Sequence, residues 1–437
     1  MIQDLKRAGV EYVRLLWCDH ANVIRGKAAN VNMLRDGFEG IGMTIAQMAL
    51  PVMFDAVAPD SGLGPVGEVR LEPDWSTLKI LPYAPGHAQV IANMIDDTKP
   101  WVHCPRDFLR QQINRLRDHD IEIKAAFENE FFLLRKFGEG YEAADKSVYA
   151  MTSSMNEHRE FILDFSHALE SQGLQPEYYY PESGPGQQEL SVRYSDGLGA
   201  ADNQIVFRET ARGVAIKYGL TVSFLPKIFE NAAGSGCHIN LSLWQDDKNI
   251  TGDAKDKTGL SKTGRSFVAG VLTHLPALTA LTLSTRNSFR RIRPHFWAGA
   301  FTAWGYDNRE AAIRVSRGKS GASRFELKAA DASSNPYLAL GSMLAAGLDG
   351  LEHNLELPSE TTVDPALLNE AERRANHIHA LPTSLGEALV ALQNDKVLLD
   401  TLGNDRAKAY LAVKKMEWEA LKDVTLADEV KLLVERY

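Results

Sequence analysis

Cysteine is scarce: Cys18, Cys104 and Cys237 are the only three in 437 residues. An odd, scattered set of thiols excludes a disulfide framework and offers no zinc spacing, so the chain reads as one kept reduced. An excess of basic charge is also missing. Forty-eight Lys and Arg against fifty-seven Asp and Glu give a net charge of -9, and no basic tract interrupts the balance, which argues against nucleic acid and anionic membrane surfaces as partners. Nor is there a long apolar run. The first ten residues carry Asp4, Lys6 and Arg7 with no apolar stretch behind them, and no later segment reaches spanning length. The expectation is a cytoplasmic protein with no membrane contact. Internal repeats and low-complexity tracts are absent as well. What remains is an ordinary globular composition, 44% hydrophobic and 24% charged, in a chain long enough for a substantial core and more than one domain.

The order of elements predicts an α+β fold. Short strands at Tyr12–Trp17 and Gln89–Met94, with glycines around Gly40 and Gly42 between them, predict a small β domain over residues 1–98. The prolines at 100 and 105 lead into an amphipathic helix at Arg106–Asp118, and a larger domain over 99–437 is expected to follow. Within it, strands are predicted at Ile121–Leu134, Glu189–Tyr194, Thr221–Leu225, Gly236–Trp244 and Arg324–Lys328, and helices at Glu157–Gln172 and Asp202–Tyr218. After Asn335 the chain reads as helical through four segments, the last being Leu426–Tyr437.

Side-chain parity on these strands groups the polar residues. In Ile121–Leu133 one face carries Ile121, Ile123, Ala125, Phe127 and Phe131, and the other Glu122, Lys124, Glu128 and Glu130. A charged face of this kind is also what a solvated strand shows, but Phe132 shares it. The loop Pro181-Glu182-Ser183-Gly184-Pro185-Gly186-Gln187-Gln188-Glu189 sets two acids around a Gly- and Pro-rich turn, which suits either a surface turn or a backbone that approaches an ion. In Gly236–Trp244 the residues His238, Asn240 and Ser242 share a face, and in Arg324–Lys328 so do Arg324, Glu326 and Lys328. Each pattern alone has a bland reading as well. Together, five carboxylates and one imidazole suit two hard cations such as Mg²⁺ or Mn²⁺, the ions that phosphoryl transfer from ATP requires.

The sequence resembles the glutamine synthetase family from about Tyr12 to the end. The resembling pieces are Glu128-Asn129-Glu130-Phe131-Phe132, Glu182 to Glu189, Phe224-Leu225-Pro226-Lys227, Gly234 to His238, Asn287-Ser288-Phe289-Arg290-Arg291, Asn308-Arg309 with Arg314, and Arg324 to Tyr337. The resemblance implies a β-grasp-like N-terminal domain, a catalytic domain with a curved antiparallel sheet and flanking helices, and homo-oligomeric rings, a dodecamer of two hexamers. It implies that Glu130, Glu182 and Glu189 hold one metal and Glu128, His238 and Glu326 another, with two to three ions per site. Catalytic roles fall by the same resemblance to Arg291, Arg309 and Glu182, and the acid substrate to Gly234, Arg291, Arg309 and Lys328. ATP falls to Glu177, Asn240, Ser242, Arg314 and Arg324, with Tyr194 as a surface for adenine. Counted along an unbroken strand, Tyr194 points away from Glu189.

Four features depart from the family. In Arg293-Pro294-His295-Phe296-Trp297-Ala298, Trp297 stands where ammonia-using members carry a glutamate that deprotonates ammonium, and Phe38–Met53 offers no counterpart to their second acid. An indole takes no proton but attracts an alkylammonium. The implied activity is ATP-dependent ligation of a small organic amine to the γ-carboxylate of glutamate through γ-glutamyl phosphate, and Trp297 is counted with the substrate residues. An ammonia-dependent ligase and a catalytically silent assembly protein are the alternatives. Lys328 replaces an arginine common in the family, and Leu367–Ser384 has no tyrosine, so control by adenylylation is not expected.

Overall fold

Two sheets organise the chain, each assembled by strands that return from distant sequence. The computed structural model describes residues 1–437 except Asp36, Phe54 and Ser320. The first sheet has seven strands, five of them forming its path: β1 (Tyr12–Cys18), β2 (Ile24–Asn30), β3 (Ile41–Thr44), β4 (Glu68–Pro73) and β5 (His87–Asp96), in the spatial order β2-β1-β5-β4-β3. The β1–β5 pairing is parallel and the rest are antiparallel. Val13, Leu15, Met43, Leu71, Ala88 and Val90 are its inward residues, all buried.

The second sheet has eleven strands, with a path drawn from β6 (Glu122–Phe137), β7 (Pro176–Pro181), β8 (Gln187–Val192), β9 (Cys237–Gln245), β10 (Trp304–Tyr306), β11 (Ile313–Gly318) and β12 (Gly321–Leu327). Their order is β7-β8-β6-β9-β12-β11-β10, antiparallel except for the last pair. The sixteen-residue β6 is its axis. The back of β6 is held by an aromatic cluster. Phe131 meets Phe165 and Phe207, from the helices Arg159–Ser171 and Gly197–Lys217, with ring centroids 6.0 and 6.2 Å away, and Phe165 and Phe207 lie 5.0 Å apart. Each such buried ring contributes about 1.5–3 kcal/mol, with roughly 0.5–1.5 more for an edge-on pair. This fixes which face of β6 is free to carry polar groups.

The predicted strands and helices are present with ends shifted by a few residues. The helix at Leu426 stops at Leu433, and Glu189–Tyr194 begins and ends two residues earlier, so Tyr194 lies in the break before Ser195–Asp196. One long element has no counterpart in the sequence reading, the helix Lys262–Thr282. It is buried almost all round and contains Pro276, so no polar stripe marks it. It packs backbone to backbone on Pro336–Glu352, where a Cβ on Gly270 would fall 2.2 Å from the Ala346 carbonyl oxygen and one on Gly350 would fall 2.0 Å from that of Ser266. Among the described residues, no helix is long and apolar enough to cross a membrane.

Candidate active site

Register brings the polar faces together. Directly opposite residues on antiparallel strands project to the same side, and here Glu128 of β6 faces His238 of β9, Glu130 of β6 faces Glu189 of β8, and Glu326 of β12 lies between Asn240 of β9 and Arg314 of β11. Glu128, His238 and Glu326 each place one ligand atom within 4.8 Å of the other two. The His238 Nδ1 lies 3.1 Å from Glu326 Oε1 and 3.9 Å from Glu128 Oε1, and its Nε2 lies 3.8 Å from Glu130 Oε1. Glu182 directly follows Pro181, the last residue of β7, and lies close enough for the charge of Glu130 to act on it.

Supporting residues aim these groups. Glu130 Oε2 accepts hydrogen bonds from Gln187 Nε2 at 2.8 Å and from the Gly236 N–H at 2.9 Å, which leaves Oε1 toward His238. Gln187 is almost wholly buried and also donates to the Gly234 carbonyl. The glycines at 234 and 236 make room for two functional side chains. A Cβ on Gly234 would meet the Pro226 carbonyl oxygen at 2.3 Å and Arg291 Cγ at 3.0 Å, and one on Gly236 would meet His238 Nε2 at 2.6 Å and Arg291 Nη1 at 3.2 Å. Arg291 and His238 are thereby neighbours across one glycine. Arg291 donates from Nη2 to the Lys328 and Ala330 carbonyls, while its buried Nε has no partner.

Electrostatics divide the cluster. Burial, followed by the charges of Glu128 and Glu130, pushes Glu189 up to about 10, and burial with Glu130 beside it pushes Glu182 up to about 7. Burial also works against ionisation of Glu326, but Lys328, His238 and Arg314 outweigh it and hold that carboxyl well below the usual range. Lys328 Nζ is 3.3 Å from Glu326 Oε1, and Arg314 Nε is 2.6 Å from Oε2. His238 is raised: burial and Lys328 oppose its charge, and Glu128 and Glu326 more than offset them.

Two observations test whether a divalent cation fits. Neither nitrogen of the buried His238 makes a hydrogen bond among the described residues, although three carboxylates crowd it. Burial, with like charges facing them, disfavours the ionised forms of Glu182 and Glu189, and a cation would relieve that by taking the place of protons. The donor set is oxygen-rich with one imidazole and no thiol, which suits Mg²⁺ or Mn²⁺.

Beside the carboxylates opens a cavity of about 680 Å³. Glu177, Tyr194, Asn240, Ser242, Arg314 and Arg324 all line it, together with Glu128, Glu189 and Arg309. Asn240 bridges the two groups, donating to Glu128 Oε2 at 3.1 Å and accepting from Arg324 Nε at 2.9 Å. Tyr194 corrects the strand count. The strand ends at Val192, so parity does not carry through to Tyr194, and its half-exposed ring turns to the cavity with Lys124 5.9 Å from its centre. Trp244 and Lys124 complete that wall, with Lys124 Nζ 3.6 Å from the indole centre. Trp297 does not line the cavity. Its indole is 52% exposed and stands beside the cavity-lining Arg309, whose guanidinium is 5.8 Å from the ring. Gln187, which orients Glu130, is not singled out by the sequence, because it lies in a motif whose acids carry the signal.

A family model for the glutamine synthetase N-terminal domain matches residues 1–101, and one for the glutamine synthetase catalytic domain matches residues 102–433. The type-1 glutamine synthetase 1 of Dictyostelium discoideum is 33% identical, over 100% of this chain and 91% of its own. The gamma-glutamylpolyamine synthetase GlnA3 of Streptomyces coelicolor is 37% identical over 94% of this chain and 90% of its own. Among solved structures, a novel glutamine synthase homolog superposes with a TM-score of 0.87 at 32% identity, covering 98% of this chain and 99% of the other. GmaS without ligand superposes with a TM-score of 0.86 at 27% identity, covering 100% and 99%.

Proposed function

This chain belongs to the glutamine synthetase family of ATP-dependent carbon–nitrogen ligases, and on that premise we propose that it joins a small organic amine to the γ-carboxylate of glutamate. The observation that carries the choice of amine is Trp297, an exposed indole beside Arg309 in the segment where ammonia-using members hold a proton-accepting glutamate. An aromatic face attracts alkylammonium groups, and its bulk offers the carbon of an organic amine a surface to pack on. Similarity to a gamma-glutamylpolyamine synthetase agrees with this reading, while similarity to glutamine synthetases keeps ammonia as the competing substrate.

In this reading Glu130, Glu182 and Glu189 hold one divalent cation and Glu128, His238 and Glu326 a second. Bound there, Mg²⁺ or Mn²⁺ would neutralise charge on the polyphosphate and on the moving phosphoryl group. ATP occupies the cavity, with its adenine toward Tyr194 and Trp244 and its sugar and phosphates along Glu177, Asn240, Ser242, Arg314 and Arg324. Arg291 and Gly234 hold glutamate, and Arg291 and Arg309 grip the carboxylate and phosphoryl oxygens with planar, always-charged forks. Lys328 keeps Glu326 ionised. The γ-carboxylate oxygen bonds to the γ-phosphorus as the bond to ADP breaks. The amine nitrogen then attacks the acyl carbon, phosphate leaves, and the amine gives up a proton. Holding the reactants in line supplies much of the acceleration. The proposal extends to a domain division at residues 1–98 and 99–437, to cytoplasmic residence, and to homo-oligomeric rings of the family's two-hexamer kind.

The test is phosphate release from ATP, with Mg²⁺ and glutamate, across ammonium, methylamine, ethanolamine, putrescine, isopropylamine and aniline. Turnover with one or more organic amines and little with ammonium is expected. Turnover with ammonium alone would refute the role given to Trp297, and no turnover with any amine would favour a silent family member. Trp297→Glu is expected to move preference toward ammonium.

A further inference from the structure

Residues 293–297 run as an exposed strap with two non-glycine residues in the left-handed region, His295 at φ 66° and Trp297 at φ 54°. Side chains rarely tolerate that backbone unless neighbouring groups impose it. Here each of the two is tied by a carboxylate. His295 Nδ1 is 2.8 Å from Asp364 Oδ2, and the Trp297 N–H donates to Glu310 Oε1 at 3.0 Å. The anchors are themselves fixed, since Asn308 donates to the carbonyls of Thr361 and Val363 and accepts from the Glu310 N–H. Glu310 is 9% exposed, and no hydrogen bond reaches its second oxygen among the described residues.

Resting on the organic-amine reading, we infer that Glu310 is a positioning and specificity residue for the amine. Its carboxylate holds the main chain at Trp297 and so fixes the indole against Arg309, the residue that joins the strap to the cavity. Glu310 is not among the residues that line the cavity. Its loss loosens the amine wall and leaves the other two sites intact. A buried carboxylate accepting from a backbone N–H is a strong, charge-assisted bond, and breaking it is worth roughly ten-fold in an equilibrium.

The experiment compares steady-state kinetics of the full-length enzyme and of Glu310→Ala, Glu310→Gln, Trp297→Ala and the Glu310→Ala/Trp297→Ala double variant. Glu310→Ala is expected to raise KM for the amine about ten-fold, while KM for ATP and glutamate changes less than about two-fold, so those two values also report that the protein is folded. Glu310→Gln, which keeps an acceptor oxygen, recovers most of the loss. In the double variant Glu310→Ala adds nothing to Trp297→Ala, because the wall it positions is gone. An equal rise in all three KM values, a Gln variant no better than Ala, or additive losses would each overturn the inference. If the wild type used ammonium alone, the organic-amine reading would fail by itself, and the same cycle read on KM for ammonium would judge Glu310 separately.

Discussion

Two buried charge clusters in this protein follow opposite rules. Around Arg106, every strong donor and acceptor closes. Its guanidinium gives Nε and Nη2 to the two oxygens of Asp202 at 2.9 and 2.8 Å, Nη2 again to Asp74 at 2.8 Å and Nη1 to Asn93 at 2.7 Å, and Tyr337 donates to Asp202 at 2.7 Å. That cluster joins the first sheet to the helices at Pro105–Arg117, Gly197–Lys217 and Pro336–Glu352. Around His238 the closure is incomplete: Glu130 and Glu326 find partners, but burial and neighbouring charge hold Glu182 and Glu189 toward their protonated forms, and neither nitrogen of the imidazole makes a hydrogen bond among the described residues. The first arrangement stabilises the fold; the second leaves charge open for something that arrives later. The difference lets burial be read as structure in one place and as function in the other.

The comparison breaks first on activity. Glu326→Ala is expected to abolish metal-dependent ATP use below detection in the phosphate-release assay, and activity retained within about ten-fold would remove the carboxylate from the site. Arg106→Ala should lower unfolding free energy by about 3–5 kcal/mol in urea titrations, since Asp202 is left buried without its partner. A loss under about 1 kcal/mol would make that cluster as open as the other.

Glu189→Gln is the converse. The amide resembles the protonated acid already present at neutral pH, so the metal-free melting temperature is expected to stay the same or rise, while turnover falls at least about a hundred-fold. A marked loss of metal-free stability would show that Glu189 is a structural carboxylate.

The pH dependence follows from Glu182 at about 7 and Glu189 at about 10, both raised from 4.5. Above pH 4.5 these two carboxyls hold more protons in the folded, metal-free state than in the unfolded one. Their contribution to stability therefore falls as pH rises through 7 toward 10, and saturating Mg²⁺ should flatten that slope. Melting temperatures at pH 5, 7 and 9 with and without Mg²⁺ check the sign.

The smallest effect concerns a third cluster. His274 Nδ1 lies 2.6 Å from Asp395 Oδ2 and Nε2 3.1 Å from Asp349 Oδ2. Burial lowers its pKa, but these two acceptors more than compensate and leave it raised. Its contribution is full below 6.5 and fades as pH passes the folded value, and His274→Gln should remove this slope at a cost near 1 kcal/mol.

Much of the candidate site was legible because strand parity is a rule with a period of two. Glu128 and Glu130, His238 and Asn240, and Arg324 and Glu326 each share a face as alternation requires. Pairing register is another matter. Nothing local says that His238 sits opposite Glu128, 110 residues away, or that Gln187 turns Glu130 toward it. Strand parity gives Tyr194 the wrong face because the strand breaks after Val192, although the residue does line the cavity, and the helix Lys262–Thr282 is hidden because a helix buried almost all round has no polar stripe. The Arg106–Asp202 pair and the Glu310 tether to Trp297 exist only once the chain has folded back on itself.

The central claim, that open charge around His238 is kept for divalent cations, is tested most directly by equilibrium Mn²⁺ binding, read by electron paramagnetic resonance with a non-hydrolysable ATP analogue. The wild type should bind saturably and more tightly with the nucleotide, His238→Ala and Glu189→Gln should each lose affinity, and a surface control such as Lys255→Ala should not. Wild-type protein that leaves Mn²⁺ free, or variants that bind it as well as the wild type, would contradict the account.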